Sequence, residues 1–167
     1  MSNEHMQFCE TISHLTQEEK EWFFNLPSIR HIEWDNYDDD IEITDILEGY
    51  GISLSCYDGL ESLEDLDNFP NFQIDVYQDN VVLRGDEGFN LDHVAAVVQS
   101  FIKKFRPYYV FTLTWGIVSS RPGTSGGGYM VVSYDDVENG NVWRAARLTE
   151  SKLGSRINLA VPPFKLR

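Results

Sequence analysis

Basic side chains are scarce in this chain: 13 Lys and Arg stand against 27 Asp and Glu. The resulting net charge of −14 argues against a general nucleic-acid or anionic-membrane binder, because the summed field repels both. Cysteine is scarcer still. Cys9 and Cys56 are the only two, far apart and without metal-ligand neighbours, which excludes a disulfide scaffold or a zinc ribbon. Two reduced thiols are expected, with one disulfide as the open alternative. No window approaches the roughly 18 apolar residues of a membrane span. Met1 to Leu15 has neither a basic opening nor an apolar run, so no signal peptide is expected and the compartment read from the sequence is the cytoplasm.

What is abundant is carboxylate, unevenly placed. Thirteen acids and no Lys or Arg lie between Glu33 and Asp67, whereas residues 101–167 hold ten of the bases. Formal charge is −20 over residues 1–100 and +6 over residues 101–167. With 42% hydrophobic residues and 22 aromatics, the chain is too apolar for a disordered acidic tail. A chain of this length buries roughly 68–70% of its unfolded surface on folding and needs no staple. One domain over residues 1–167 is expected, in three parts: an acidic, partly helical region (1–71), an α+β core (72–150) and a tail (151–167).

Local patterns place the elements. Thr16 and Glu19 have capping-box spacing at the start of a helix that buries Trp22, Phe23 and Leu26 and stops at Pro27. Residues before Leu15 read as a short helix or a frayed end. Ile41, Ile43, Ile46, Leu47, Ile52 and Leu54 fit strand fragments or helical turns equally, with Gly49, Gly51 and Gly59 as breaks. Leu60, Leu63 and Leu66 are spaced for a short helix with acids above. Residues 72–84 read as a hairpin turning at Asp79-Asn80. Asn90 caps an amphipathic helix of Leu91, Val94, Val98, Phe101, Ile102 and Phe105, with Asp92 at its start and Lys103, Lys104 and Arg106 at its end, matching the helix dipole. Tyr108–Val118 is a strand with Tyr109, Phe111, Leu113, Trp115 and Ile117 on one face. A Gly-rich connection (119–128), a strand Tyr129–Tyr134 and a turn at Asn139-Gly140 follow. Val142–Leu148 fits a strand or a short helix, and the tail from Asn158 reads as extended. The expected fold is α+β, a β-β-α-β-β(-β) core with the long helix packed on a largely antiparallel sheet.

Motifs for chemistry are tested and fail. Arg121–Gly128 is rich in glycine but lacks the Lys and the following helix of a phosphate loop, so its glycines read as a strand connection; Arg121 and Ser125 are the candidate contacts for a small ligand. Counted from Asp35, a calcium loop has Asp40 where Gly belongs and Ile46 where Glu belongs. His5, His14, His31 and His93 lack zinc spacing, and His93, in a first helical turn, reads as a surface or capping residue. Ser119, Ser120 and Ser125 lack a nucleophile elbow. No catalytic residue, metal or cofactor is expected. Trp143 with Arg144, Arg147, Lys152 and Arg156 is a weak nucleic-acid patch on so acidic a chain, and pairing with the acidic half is the alternative.

The run Phe111-Thr112-Leu113-Thr114-Trp115, then Ser120-Arg121-Pro122-Gly123 and Gly126-Gly127-Gly128 before an apolar strand, resembles a family of small uncharacterised proteins of phages and bacterial mobile elements. The resemblance spans about residues 90–137 and implies such a source, without carrying over any functional residue. Proteins from that setting often disarm host defences.

The expectation is a non-enzymatic inhibitor whose anionic face occupies a basic, nucleic-acid-binding protein surface, as an anti-CRISPR or anti-restriction DNA mimic does, without touching nucleic acid or membrane itself. Duplex DNA carries about one charge per 1.7 Å of axis, and a row of carboxylates competes for the same groove. The candidate face is Asp35, Asp38, Asp39, Asp40, Glu42, Glu61, Glu64, Asp65 and Asp67. The alternatives are an immunity protein against a basic toxin, a small enzyme or ligand binder acting around residues 121–128, and a merely solubilising acidic surface.

Overall fold

The computed structural model describes residues 4–36, 40–53, 66, 68–119 and 126–160. Its elements run β1 (Glu4–Ser13), α1 (Gln17–Asn25), two 3-10 turns (Leu26–His31 and Trp34–Asn36), α2 (Asp40–Gly49), β2 (Gln73–Val76), β3 (Asn80–Gly85), α3 (Leu91–Phe105), β4 (Phe111–Ser119), β5 (Gly126–Val132), β6 (Val137–Asn141) and α4 (Val142–Ala160). The fold is α+β, with six strands in the order β2-β3-β1-β4-β5-β6. All five neighbouring pairs are antiparallel.

The N-terminal stretch corrects the expected helix or frayed end. β1 is a central strand, paired with β4 through Glu4–Gln7 and with β3 through Phe8–Ser13. Phe8 and Ile12 are buried while Gln7, Cys9, Thr11 and Ser13 are exposed, the alternation of a half-buried strand. Glu10 interrupts it at an inward position. Its carboxylate accepts from the Thr114 backbone N–H (3.3 Å) and hydroxyl (3.4 Å), filling the gap where β1 changes partners.

One face of the sheet carries the core. Leu83, Val81, Phe111, Leu113, Met130 and Val132 join Phe8 and Ile12 there, all buried. α1 lies against β2 and β3, and α3 reaches β5. The two helices meet through aromatic rings, with Trp22 and Phe23 centred 6.0 and 5.0 Å from Phe101. Because α3 has sheet on one side and the N-terminal helices on the other, every residue from His93 to Ile102 is buried. The Asn90 cap is formed, its side chain accepting from the Asp92 N–H at 2.8 Å. Thr16 and Glu19 complete the capping box of α1.

His93 is not a surface residue. It is 1% exposed, its Nδ1 accepts the Asn71 backbone N–H at 3.0 Å, and its ring meets Phe69 edge-on with centroids 4.9 Å apart. It ties the chain before β2 to the first turn of α3.

The C-terminal reading also changes. Asn139 and Gly140 lie within β6, where Gly140 pairs with Tyr129. Val142–Leu148 opens a 19-residue helix, so Asn158–Ala160 is helical and not extended. Of the Gly-rich segment, Gly126–Gly128 belong to β5. A Cβ on Gly128 would come within 2.2 Å of the Trp115 ring and 2.5 Å of the Gly140 carbonyl, so this glycine serves close strand packing.

Candidate functional site

Helix α2 carries most of the described part of the acidic segment. Its sequence, rich in β-branched isoleucine, has no strong helix propensity, and packing decides its state. Ile43 and Leu47, one turn apart, are 3% and 0% exposed, as is Ile52 at 0% beyond the helix end. The helix stops in a Schellman motif: Ile52 N–H donates to the Leu47 carbonyl (2.9 Å) and Gly51 N–H to that of Glu48 (2.8 Å). Gly51 has φ +77, and buried Ile52 and Leu47 provide the apolar contact that accompanies this cap. Trp22 Nε1 donates to the Tyr50 carbonyl at 2.9 Å, and Ser53 N–H donates to the Ser100 hydroxyl at 3.0 Å. The C-terminal end of α2 is thereby held to both α1 and α3.

The opposite side of α2 is acidic. Asp45 and Glu48, three residues apart, are exposed, as are Glu33 and Asp35 just before it. Asp40 and Glu42 stand in the first turn. None of Glu33, Asp35, Asp45 and Glu48 enters an ion pair among the described residues; the exposed bases Arg84 and Arg144 pair with Asp75 (2.9 Å) and Glu138 (3.7 Å) instead. Like charges one helical turn apart cost roughly 0.2–0.5 kcal/mol a pair, whereas fully burying one Ile or Leu contributes about 1.5–3 kcal/mol. Burial wins, and the charges ride on a seated helix.

Of the nine expected face residues, Asp35 is placed at the surface and Asp40 and Glu42 are placed in α2. Asp38, Asp39, Glu61, Glu64, Asp65 and Asp67 lie outside the described residues, as do Arg121, Ser125 and Cys56. So does the Leu60–Leu63 part of the expected acidic helix; Leu66 is buried. Asp45 and Glu48, exposed on α2, are acids that the expected face did not include. Their signal was their offset from Ile43 and Leu47, which puts them outward once the segment is read as a helix.

A concavity of about 500 Å³ opens where β1 changes partners, beside Gln7, Cys9, Glu10, Arg84, Asp86 and Thr114. Its polar groups satisfy one another: Gln7 donates to Asp86 at 2.9 Å, Glu10 accepts from Thr114, and Arg84 pairs with Asp75. Cys9 is a free, exposed thiol. Among the described residues no group of three His, Cys, Asp or Glu is arranged to hold a metal, and no helix is long and apolar enough to cross a membrane. Comparison with family models, curated proteins and solved structures finds no match.

Proposed function

We propose that the protein is a non-enzymatic binding module, acting inside the cell, whose acidic surface occupies a basic surface on a nucleic-acid-binding protein. The observation that carries this reading is α2: its apolar side is locked into the core while Asp45 and Glu48 are exposed and enter no ion pair among the described residues. A solubilising charge run has no need of a capped helix tied to two others. A carboxylate array held rigidly loses little conformational freedom on binding and steers association with basic grooves. The resemblance over residues 90–137 adds a phage or mobile-element setting, in which the blocked protein belongs to a host defence.

The test is affinity capture from host lysate at low salt, followed by challenge with duplex DNA. DNA should displace the captured protein, and Asp45→Lys with Glu48→Lys should lose it. A complex indifferent to DNA and to high salt would overturn the reading. Capture of a basic toxin that binds no nucleic acid would replace it with the immunity-protein alternative.

A further inference from the structure

Helix α4 is the least covered element of the fold. Nineteen residues span about 28 Å, yet from Val142 to Leu153 only Ala145 is even half-buried. Helices of globular proteins draw most of their stability from a packed face, and this one has the residues for such a face. Trp143 is 73% exposed, and Val142, Leu148 and Leu153 are about half-exposed. Val142, Ala146, Thr149 and Leu153 recur at helical spacing along one side. Trp143, Arg144, Arg147, Leu148 and Asn141 line a concavity of about 480 Å³.

Charge selects what covers it. α4 carries Arg144, Arg147, Lys152 and Arg156 against the single acid Glu150; Arg144 also pairs with Glu138 of β6 at 3.7 Å, an exposed contact. Pairing two α4 helices would bring like charges together. Nucleic acid would meet the −14 of the whole chain beyond this short patch. The exposed anionic helix of the fold is α2, with Asp45 and Glu48 outward. The C-terminal end of α2 is tied to Trp22 of α1 and Ser100 of α3, whereas α4 packs against β5 and β6. No ion pair joins α4 to α2 among the described residues. The spacing also matches: Arg144 and Arg147 are three residues apart, as are Asp45 and Glu48, so both pairs advance by about 4.5 Å along their helices.

We propose that α4 docks on the acidic α2 face of a second copy of this chain, giving head-to-tail self-association. The proposal rests on the reading of α2 as a binding face. The contact is heterologous, so each copy keeps a free α2 face at one end and a free α4 at the other. Overall repulsion between copies decays over about 10 Å at 0.1 M salt, while contact pairs persist to higher salt. Association should therefore be strongest at intermediate ionic strength.

Sedimentation equilibrium tests this with the full chain. The wild type should gain mass with concentration near 0.1 M salt (about one Debye length of 10 Å) and lose it at high salt. Arg144→Glu/Arg147→Glu and Asp45→Lys/Glu48→Lys should each weaken self-association at least about tenfold. Their equimolar mixture should regain association, because the acidic α2 of one variant meets the basic α4 of the other and the two reversed faces are again opposite in charge. That recovery also shows both are folded. Relief of net charge alone predicts the reverse, since the Lys variant is less negative than the wild type. A wild type monomeric at every salt, an α2 variant that still self-associates, or a mixture that fails to pair would each overturn the proposal. The Arg variant should still capture the foreign basic partner. A wild type that self-associates as stated but captures no basic partner sinks the proposed function and leaves this contact standing.

Discussion

Glu19 and Arg106, 87 residues apart, form a two-point ion pair in which Arg106 Nε meets Glu19 Oε1 at 2.7 Å and Nη2 meets Oε2 at 2.9 Å. Glu19 is 4% exposed and Arg106 22%. The carboxylate also accepts the Thr16 backbone N–H at 2.7 Å, and the guanidinium donates to the carbonyls of Ser13 and His14. One pair thus joins the end of β1, the cap of α1 and the end of α3, and α1 and α3 are the helices that hold α2.

Arg106→Ala should destabilise the fold by about 3 kcal/mol, because a buried carboxylate loses its charged partner. Urea unfolding should show a lower midpoint with an unchanged slope. A loss under about 0.5 kcal/mol, the level of an exposed pair, would mean that the pair is solvated.

The same pair sets an acid limb. Burial raises the Glu19 pKa, but the Arg106 hydrogen bonds, the Thr16 N–H and the Arg106 charge together hold it below its ordinary 4.5. In the window between the folded value and 4.5 the unfolded chain binds more protons, so stability rises with pH there. The contribution is complete above 4.5 and is lost as pH falls through the folded value. Glu19→Gln should remove this limb, measured as a flatter pH dependence of unfolding free energy below 4.5. An unchanged profile would rule Glu19 out as its source.

Gly51→Ala should loosen α2. Its φ of +77 disfavours a side chain, and a Cβ there would lie 2.6 Å from Trp22 Nε1, the atom that bonds Tyr50. A cost of about 1–3 kcal/mol is expected, with a red shift of Trp fluorescence as the indole bond opens. Gly88→Ala is the control: Gly88 shares a positive φ of +81 but has nothing within 4 Å of a new Cβ, so its cost should be the smaller.

His93→Leu should cost about 1–3 kcal/mol, since it keeps an apolar contact to Phe69 but leaves the Asn71 N–H without its acceptor. Hydrogen exchange at the Asn71 amide checks it directly. Protection equal to the wild type would show that the imidazole is not what holds that amide.

Patterns whose partners lie within a few residues were readable from the chain. The capping box of Thr16 and Glu19, the Asn90 cap with its 3.6-residue apolar stripe and the hairpin of β2 and β3 formed as their spacing predicts; of the expected face of Tyr108–Val118, Phe111, Leu113 and Trp115 alternate inward, while the strand starts only at Phe111 and Ile117 is exposed. β1 was hidden because Glu10 breaks an otherwise alternating run. The reason it is tolerated, a bond to Thr114 on another strand, has no local signature. α2 was ambiguous because an isoleucine-rich segment suits strand or helix, and only burial of Ile43, Leu47 and Ile52 chooses between them.

By itself, the sequence determined the α+β class, the long helix and the separation of acidic from basic residues, since composition and periodicity act locally. Tertiary structure alone decided which acids face outward, that Glu19 meets Arg106, and that the end of α2 is tied to both α1 and α3. Those outcomes depend on which distant segments bury each other's apolar surface, a choice made by the packed core and not by any stretch of chain within it.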